Sequence, residues 1–274
     1  MKDVDCVAFL QWALPRLGLH WPGFRKVRRQ VCKRIARRID ELGLGHAAAY
    51  RERLAQDRAE WQALAALCTI PISRFYRDPS VFDRLGSAVL PALAQQARRR
   101  GQESLGCWSA GCASGEEPYT VAIQWRMLLA SRFSTLSLRV LGTDVDASLL
   151  DRARAGCYKA SSLKALPHSW LNQAFERRGD LFCLRESWRA DVRFERQDLL
   201  SELPPGPFDL VLCRNLAFTY FGADRSRQAL DRLTSRLRLG GALVAGIHER
   251  LPEPAARFEP WPDCPTVFRL CSIA

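Results

Sequence analysis

The sequence predicts an α/β protein with a doubly wound parallel sheet and a small N-terminal all-helical domain. From Gly106 onward, short apolar runs of strand length alternate with helical patterns. Residues 1–67 contain helical patterns alone, and a glycine-bearing loop joins the first predicted strand to its helix. Such alternation is typical of a parallel sheet that binds ligands at the carboxyl ends of its strands.

Composition and net charge limit the classes of partner that we expect for this protein. The chain has 274 residues, 47% of them hydrophobic, and a formal net charge of +12. A basic protein of this kind binds nucleic acid, acidic lipid or an acidic protein surface, and composition does not choose among them. The sequence contains neither a signal peptide nor a transmembrane segment, so we expect a cytoplasmic protein.

The cysteines are scattered and form no C-x-x-C pair, and the chain contains 10 of them. Several lie in apolar runs such as Leu210–Cys213. We therefore expect buried free thiols, in preference to disulfides or a metal site.

The predicted helical domain, residues 1–67, contains a strongly basic helix. The segment 25–38 holds eight basic residues and no acidic one, while Val27, Val31, Ile35 and Ile39 recur at helical spacing. This pattern predicts an amphipathic helix with a basic exposed face. The face is either simply solvated or a docking surface for an acidic helix or a phosphate surface.

A linker is predicted over 68–79, because Pro71 and Pro79 bracket a mixed polar and aromatic segment. A helix over 80–100 then opens the second domain, residues 80–274, which carries a short insertion at about 160–190. The further elements that we predict there are strands 105–109, 138–142, 192–195, 208–213, 242–247 and 266–271, a hairpin strand 181–184 within the insertion, and helices 116–130, 147–155, 171–175 and 223–237.

The loop between the first strand and its helix favours a cofactor with a cationic part. Gly111 and Gly115 allow close backbone approach, and the helix begins at Glu116 and Glu117. The glycine spacing is not G-x-G-x-x-G, and two acids stand where a pyrophosphate requires positive charge. S-adenosylmethionine (SAM) has a sulfonium and an ammonium group and meets this requirement.

Three further polar residues follow predicted strands. Asp144 is suited to ribose hydroxyls, Asp198 to an adenine amino group, and Asn215 lies beside the glycine loop. Each alone is also typical of an ordinary turn or cap. Together they predict one cofactor pocket at a single edge of the sheet.

Three segments, WSAGCASGEEPYTVA, LGTDVDASLLDRARAGCY and PFDLVLCRNLAFTYF, resemble the chemotaxis receptor methyltransferase family, CheR. The resemblance implies a Rossmann-like SAM-dependent methyltransferase that methylates glutamate side chains of bacterial chemoreceptors. It also implies two catalytic residues, the linker arginine Arg77 and Tyr220, which faces the methyl group. The cofactor-binding residues that it implies are Ser73, Arg77, Gly111, Glu116, Glu117, Asp144, Asp198, Leu199, Asn215 and Leu216.

The expected partner is an acidic helical protein substrate, such as the cytoplasmic part of a chemoreceptor, bound through the basic helix 25–38. Pro71, the segment before Tyr220 and the short insertion depart from the family pattern. These departures keep open a small-molecule substrate or a protein outside chemotaxis. A non-catalytic SAM-binding module is a third reading. Nucleic acid is not favoured, because no Asn/Asp-Pro-Pro-Tyr/Phe motif follows the fourth predicted strand.

Overall fold

The computed structural model of the chain describes residues 3–253 and 255–272. Within these residues the chain divides into two compact units. The first contains the chain up to Ile70 together with Thr219–Ser226, and the second contains Pro71–Phe218 and the chain from Arg227 onward. Pro71 lies within the predicted linker 68–79. The sequence did not lead us to expect Thr219–Ser226 in the helical unit.

The first unit is built from helices around one apolar core. Val31, Ile35 and Ile39 are buried, as the basic helix pattern predicts, and they pack with Phe9 and Leu10 of the first helix. The helices are α1 (Asp3–Arg16), α2 (Trp21–Phe24), α3 (Arg28–Glu41), α4 (Ala47–Gln56) and α5 (Arg58–Leu67).

A buried carboxylate joins three of these helices. Glu60 of α5 accepts hydrogen bonds from Arg38 of α3 at 3.0 and 2.8 Å and from the Tyr50 hydroxyl of α4 at 2.7 Å. The hydrogen bonds from Arg38 lower the pKa of Glu60 despite its burial. Removing Arg38 would leave the buried Glu60 carboxylate without a cationic partner, so this ion pair constrains how the three helices pack.

The second unit contains the predicted parallel sheet. The strands in chain order are β1 (Ser104–Ala110), β2 (Ser137–Asp144), β3 (Cys157–Lys159), β4 (Phe175–Arg178), β5 (Leu181–Leu184), β6 (Val192–Arg196), β7 (Phe208–Leu212), β8 (Leu237–Val244), β9 (Phe258–Trp261) and β10 (Cys264–Leu270). In the described part of the chain, seven of them form one sheet in the order β6-β2-β1-β7-β8-β10-β9. Strand β10 runs antiparallel to both of its neighbours, and the pairs from β6 to β8 are parallel.

The helices of the remaining chain are α6 (Pro79–Arg84), α7 (Leu90–Arg99), α8 (Glu116–Leu128), α9 (Ala147–Ala155), α10 (His168–Ala174), α11 (Glu186–Arg189), α12 (Ala217–Tyr220) and α13 (Ala223–Arg236). Helix α9 has the predicted bounds. The predicted helix 80–100 is interrupted by a π-helical segment, Leu85–Val89. Pro91 follows this segment; proline lacks an N–H and its ring crowds the preceding turn, which favours such a widened turn.

Other boundaries differ from the prediction for local reasons. Strand β8 begins at Leu237 and includes a glycine pair that we expected to form a loop, and the pairing with β7 shifts register between Phe208 and Leu210. The insertion forms a three-stranded sheet in the order β3-β5-β4, of which the sequence indicated only one strand. Across the described residues, every helix is too short or too polar to cross a bilayer.

The expectation of free thiols throughout was wrong for four of the cysteines. Cys6 of α1 is disulfide-bonded to Cys32 of α3, and Cys157 of β3 to Cys183 of β5. Helix packing brings the first pair together, and the second pair lies directly opposite in an antiparallel ladder. Neither neighbourhood is visible in the spacing of the cysteines along the chain. The free cysteines are Cys68, Cys107, Cys112, Cys213, Cys264 and Cys271, and only Cys271 is exposed.

The disulfide between α1 and α3 gives a test of the helical unit. It closes a loop with a sequence separation of 26, and the chain-entropy model assigns such a cross-link about 3 kcal/mol of unfolding free energy. We expect Cys6→Ser to lower the urea midpoint of the oxidised protein and to have little further effect under reducing conditions. Cys271→Ser, an exposed free thiol, is the control. An equal loss in the control contradicts the cross-link.

Candidate cofactor site

The loops that leave the carboxyl ends of β1, β2 and β7 meet at one edge of the sheet. After β1 the chain turns over the end of β2, where the N–H groups of Gly111 and Cys112 donate to the Thr143 carbonyl at 2.8 and 2.9 Å. A Cβ on Gly111 would overlap the Leu216 side chain, and its φ of +75° is in the left-handed region. Glycine therefore lets this loop lie directly against the segment after β7.

Glu116, the first residue of α8, presents a buried carboxylate at this edge. Its side chain is 2% exposed, and Oε1 accepts from the Ser114 hydroxyl at 3.2 Å. Oε2 is buried, and no described residue hydrogen-bonds it. Burial raises the pKa of Glu116, although its backbone N–H, Ser73 and Ser114 partly oppose the rise. A buried acceptor without a donor fits the ammonium group of SAM.

Glu117 differs from its neighbour because its carboxylate is already paired. Oε1 accepts from the Ser109 hydroxyl at 2.8 Å, and Oε2 from Arg214 at 3.1 Å. The charge of Glu117 is therefore compensated within the protein, whereas that of Glu116 is not. Of the two predicted acids, Glu116 is the better candidate to bind a cationic cofactor.

Asp144 ends β2 and is half-buried. Its Oδ2 accepts from the Ala113 N–H at 2.9 Å and its Oδ1 from the Asp146 N–H at 3.0 Å. Burial raises the pKa of Asp144, and these backbone donors partly offset the rise. Each carboxylate oxygen has a second lone pair, so the side chain remains suited to two ribose hydroxyls.

Asn215 follows β7 in a strained conformation that a neighbouring acid holds. Its φ is 55°, and its backbone N–H donates to Glu249 Oε2 at 2.8 Å. The Gly246 N–H donates to the same oxygen at 2.6 Å. The side-chain Oδ1 of Asn215 is buried, and the described chain offers it no donor. This second orphaned acceptor also fits a cofactor that brings hydrogen-bond donors.

Asp198 and Leu199 lie after β6. The Asp198 carboxylate is exposed and accepts from the Leu200 N–H at 2.9 Å, which is the bond of a turn residue. Leu199 is buried, and its carbonyl accepts from Arg232 at 2.5 Å. Their contact with adenine stays a prediction.

The linker residues reach the same edge. Ser73 lies close enough to Glu116 to influence its pKa. Arg77 is half-buried, and its guanidinium donates to the Ile72 carbonyl at 2.9 Å, so the linker folds back on itself. Tyr220 belongs to the helical unit, where its ring meets Phe24 edge-on at 5.1 Å between centroids. The roles of Arg77 and Tyr220 in catalysis stay predictions.

Two residues that contribute to this edge were missing from the prediction. Arg214 binds Glu117 and Asp78, and Glu249 holds Asn215. Both lie in segments that drew attention for other residues, the Cys-Arg-Asn motif and the turn after the fifth predicted strand. A signal for Arg214 was available, because a buried arginine requires a partner of opposite charge and the predicted acidic pair offers one.

The raised pKa of Glu116 makes cofactor affinity depend on pH. A raised pKa means that the protein without cofactor keeps this proton to higher pH, whereas an ammonium group binds the ionised form. We therefore expect SAM affinity to rise with pH as Glu116 ionises, above the usual carboxyl range, and binding to release a proton. Glu116→Gln should weaken binding and flatten this dependence, measured by calorimetry in buffers of different ionisation enthalpy. Glu103→Gln, at an exposed position, is the control; an unchanged profile in Glu116→Gln contradicts the role.

Comparison with known proteins identifies the family of this chain. The model of the CheR methyltransferase SAM-binding domain matches residues 72–264. The chemotaxis protein methyltransferase of Listeria monocytogenes is 34% identical over 202 residues, which cover 74% of this chain and 74% of that protein. Its counterpart in Escherichia coli K12 is 34% identical over 241 residues, covering 84% and 79%.

A 104.1 kDa protein of Rhodobacter capsulatus is also similar, with 35% identity over 223 residues that cover 81% of this chain and 23% of that larger protein. The parallel sheet, the glycine loop and the orphaned acceptors at its edge agree with a SAM-binding domain. The chain belongs to the CheR methyltransferase family and is a SAM-dependent methyltransferase.

Proposed function

We propose that the protein transfers the methyl group of SAM to glutamate side-chain carboxylates of a chemoreceptor-type protein in the cytoplasm. The observation that carries this proposal is the cofactor edge, where Oε2 of Glu116 has no donor among the described residues, within a chain whose relatives are named chemotaxis protein methyltransferases. SAM supplies a methyl group bound to sulfur, and its transfer to a carboxylate oxygen leaves S-adenosylhomocysteine and a methyl ester.

The protein's own residues bind and orient in this scheme. Glu116 binds the ammonium group, Asp144 the ribose hydroxyls, and Asn215 offers its side-chain carbonyl to a donor of the cofactor. A glutamate carboxylate is already anionic at neutral pH, so the acceptor needs no general base. Alignment and exclusion of water then supply the rate enhancement, and alignment alone is worth about 7 kcal/mol or more in well-oriented reactions.

Two residues are proposed to handle the acceptor. Arg77 orients the incoming carboxylate through its guanidinium, which has donors to spare beyond the one bonded to Ile72. Tyr220 holds the same carboxylate through its hydroxyl. Ser73, Asp198, Leu199 and Leu216 complete the proposed surroundings of the cofactor.

The basic segment 25–38 is proposed to dock an acidic helical substrate; only its part from Arg28 onward is helical, in α3, and Arg25 and Lys26 lie in the turn before it. The basic residues of the segment divide into two groups. Four have partners within the helical unit: Arg28 with Asp3, Arg34 with the carbonyls of residues 67 and 69, Arg37 with Glu41, and Arg38 with Glu60. The other four have exposed side chains, and no side-chain hydrogen bond or ion pair within the described residues involves them. We name these the docking residues: Arg25, Lys26, Arg29 and Lys33. Their charge is available for long-range attraction of an acidic helix.

A small molecule or a protein outside chemotaxis is the second candidate acceptor. It is favoured by Pro71, an exposed residue at a linker position where the family resemblance implies asparagine. The same chemistry at the cofactor serves either acceptor, so the identity of the methylated product separates them.

The product of the reaction tests the proposed function. Incubation with methyl-labelled SAM and receptor-containing membranes should label a receptor band, and mild alkali should release the label as methanol, because carboxyl methyl esters are base-labile. Arg77→Ala should sharply reduce the labelling. An alkali-stable label, or a label only on small molecules, contradicts glutamate methylation.

The docking residues give an independent test. Arg29→Glu with Lys33→Glu should raise the KM for the receptor by about tenfold or more, since removing rim charges and adding repulsion slows association. The dissociation constant of SAM should not change. Higher salt should weaken receptor use by the parent protein and have little effect on the double variant. The control reverses two exposed charges outside the helix, Arg177→Glu and Arg193→Glu, and an equal effect there excludes a specific docking surface.

A further inference from the structure

We propose that Arg214 is a positioning residue that holds the linker and Glu117 in place at the cofactor edge. The inference deepens the proposed function, on which it rests only for the role of Arg77. Arg214 follows β7 and is 2% exposed at its side chain. It therefore acts through protein groups and not through solvent.

The guanidinium of Arg214 joins three segments that are remote in sequence. One terminal nitrogen donates to Asp78 Oδ2 at 2.7 Å and to the Arg77 carbonyl at 3.0 Å. The other donates to Glu117 Oε2 at 3.1 Å, and the Phe82 ring covers the group at 5.2 Å. A lysine has a single nitrogen and does not reproduce this forked contact.

The linker needs such support because its backbone is strained. Tyr76 and Asp78 have φ values of 55° and 61°, in the left-handed region that residues with a side chain rarely occupy. The Tyr76 N–H donates to the Thr120 hydroxyl at 3.1 Å, and Arg214 binds Asp78. Strained conformations persist where several contacts impose them. Arg77 lies between these two anchors, so its orientation depends on both.

Arg214 also determines which of the two acids, Glu116 or Glu117, is available to bind a ligand. It compensates the charge of Glu117 and draws that carboxylate toward the linker, while Glu116 keeps a buried oxygen without a partner among the described residues. Without Arg214, two uncompensated carboxylates would follow each other at the start of α8. The arginine thus separates a structural acid from a binding acid.

The test compares Arg214→Gln and Arg214→Lys with a control, Arg100→Gln. Arg100 also forms an ion pair with a buried carboxylate of the same unit, Asp209 at 2.8 Å, although its own side chain is 32% exposed and Asp209 has Arg238 as a second partner. We expect Arg214→Gln to lower kcat by about 100-fold, the order of loss that a small misplacement of a reacting group causes. Arg214→Lys should recover part of this loss, and Arg100→Gln should leave kcat near the parent value.

The decisive measurement is the energetic coupling between Arg214 and Arg77, obtained from the kcat values of the single and double variants. If Arg214 places Arg77, then Arg77→Ala should cost much less kcat in the Arg214→Gln background than in the parent protein. If the two losses simply multiply, the proposal is overturned. A third variant, Asp78→Asn, removes only the linker partner and should behave like a milder Arg214→Gln; it serves if Arg214→Gln does not fold.

Hydrogen exchange separates this inference from the proposed function, because it needs no methyl acceptor. Amides of the segment 71–78 should exchange faster in Arg214→Gln than in the parent, and should not change in Arg100→Gln. Unchanged exchange in Arg214→Gln overturns the positioning role. Failure to methylate any glutamate, with the exchange difference present, overturns the proposed function and leaves the positioning role supported.

Discussion

The reversal of strand order between β1 and β7 is the constraint on which the cofactor site depends. Strands β2 and β6 are added on one side of β1, and β7 and β8 on the other, so the loops after β1 and β7 diverge from a common edge. A crevice at such a switch point accepts a ligand without disturbing the ladder. Gly111 keeps the two loops in contact at Leu216, because a Cβ at this position would overlap the Leu216 side chain.

Electrostatics at this edge are asymmetric, and the asymmetry gives the site its preference for a cation. The helix start of α8 alone attracts anions, since its N–H groups carry partial positive charge. Two acids placed there reverse that preference, but only one is left to act on a ligand. Glu117 is compensated by Arg214, whereas Glu116 is buried with an acceptor that no described group satisfies. Burial also raises the pKa of Glu116, and a bound cation would offset this rise by stabilising the ionised form.

The predictable parts of the fold have local causes. Helix α9 was predicted to its bounds because Asp146 caps its first turn and Gly156 ends it with a φ of 65°. Strands β1, β2, β6, β7, β8 and β10 correspond to predicted apolar runs, whereas β3, β4 and β9 were not predicted. The polar residues after the strands were assigned to one edge because parallel strands share a direction. The two disulfides and the helical-unit membership of Thr219–Ser226 depend on neighbours that are distant in the chain. No periodicity in the sequence contains that information.

The same distinction separates the candidate site residues, which a sequence motif can indicate, from the groups that support them, which it does not indicate. Tyr76, Asp78 and Asn215 all adopt left-handed backbone conformations at the linker and the cofactor edge. Each of these strained residues is held by a group from another segment: the Thr120 hydroxyl, the Arg214 guanidinium and the Glu249 carboxylate respectively. A sequence motif indicates a candidate residue for contact with the ligand. The groups that hold such a residue in a strained backbone conformation come from other segments that pack against it. Holding three such residues costs conformational free energy that the fold must supply, and a site already held in shape loses less entropy when the cofactor binds. Substitutions of these supporting side chains should therefore alter methyl transfer without altering the contacts that the ligand itself makes.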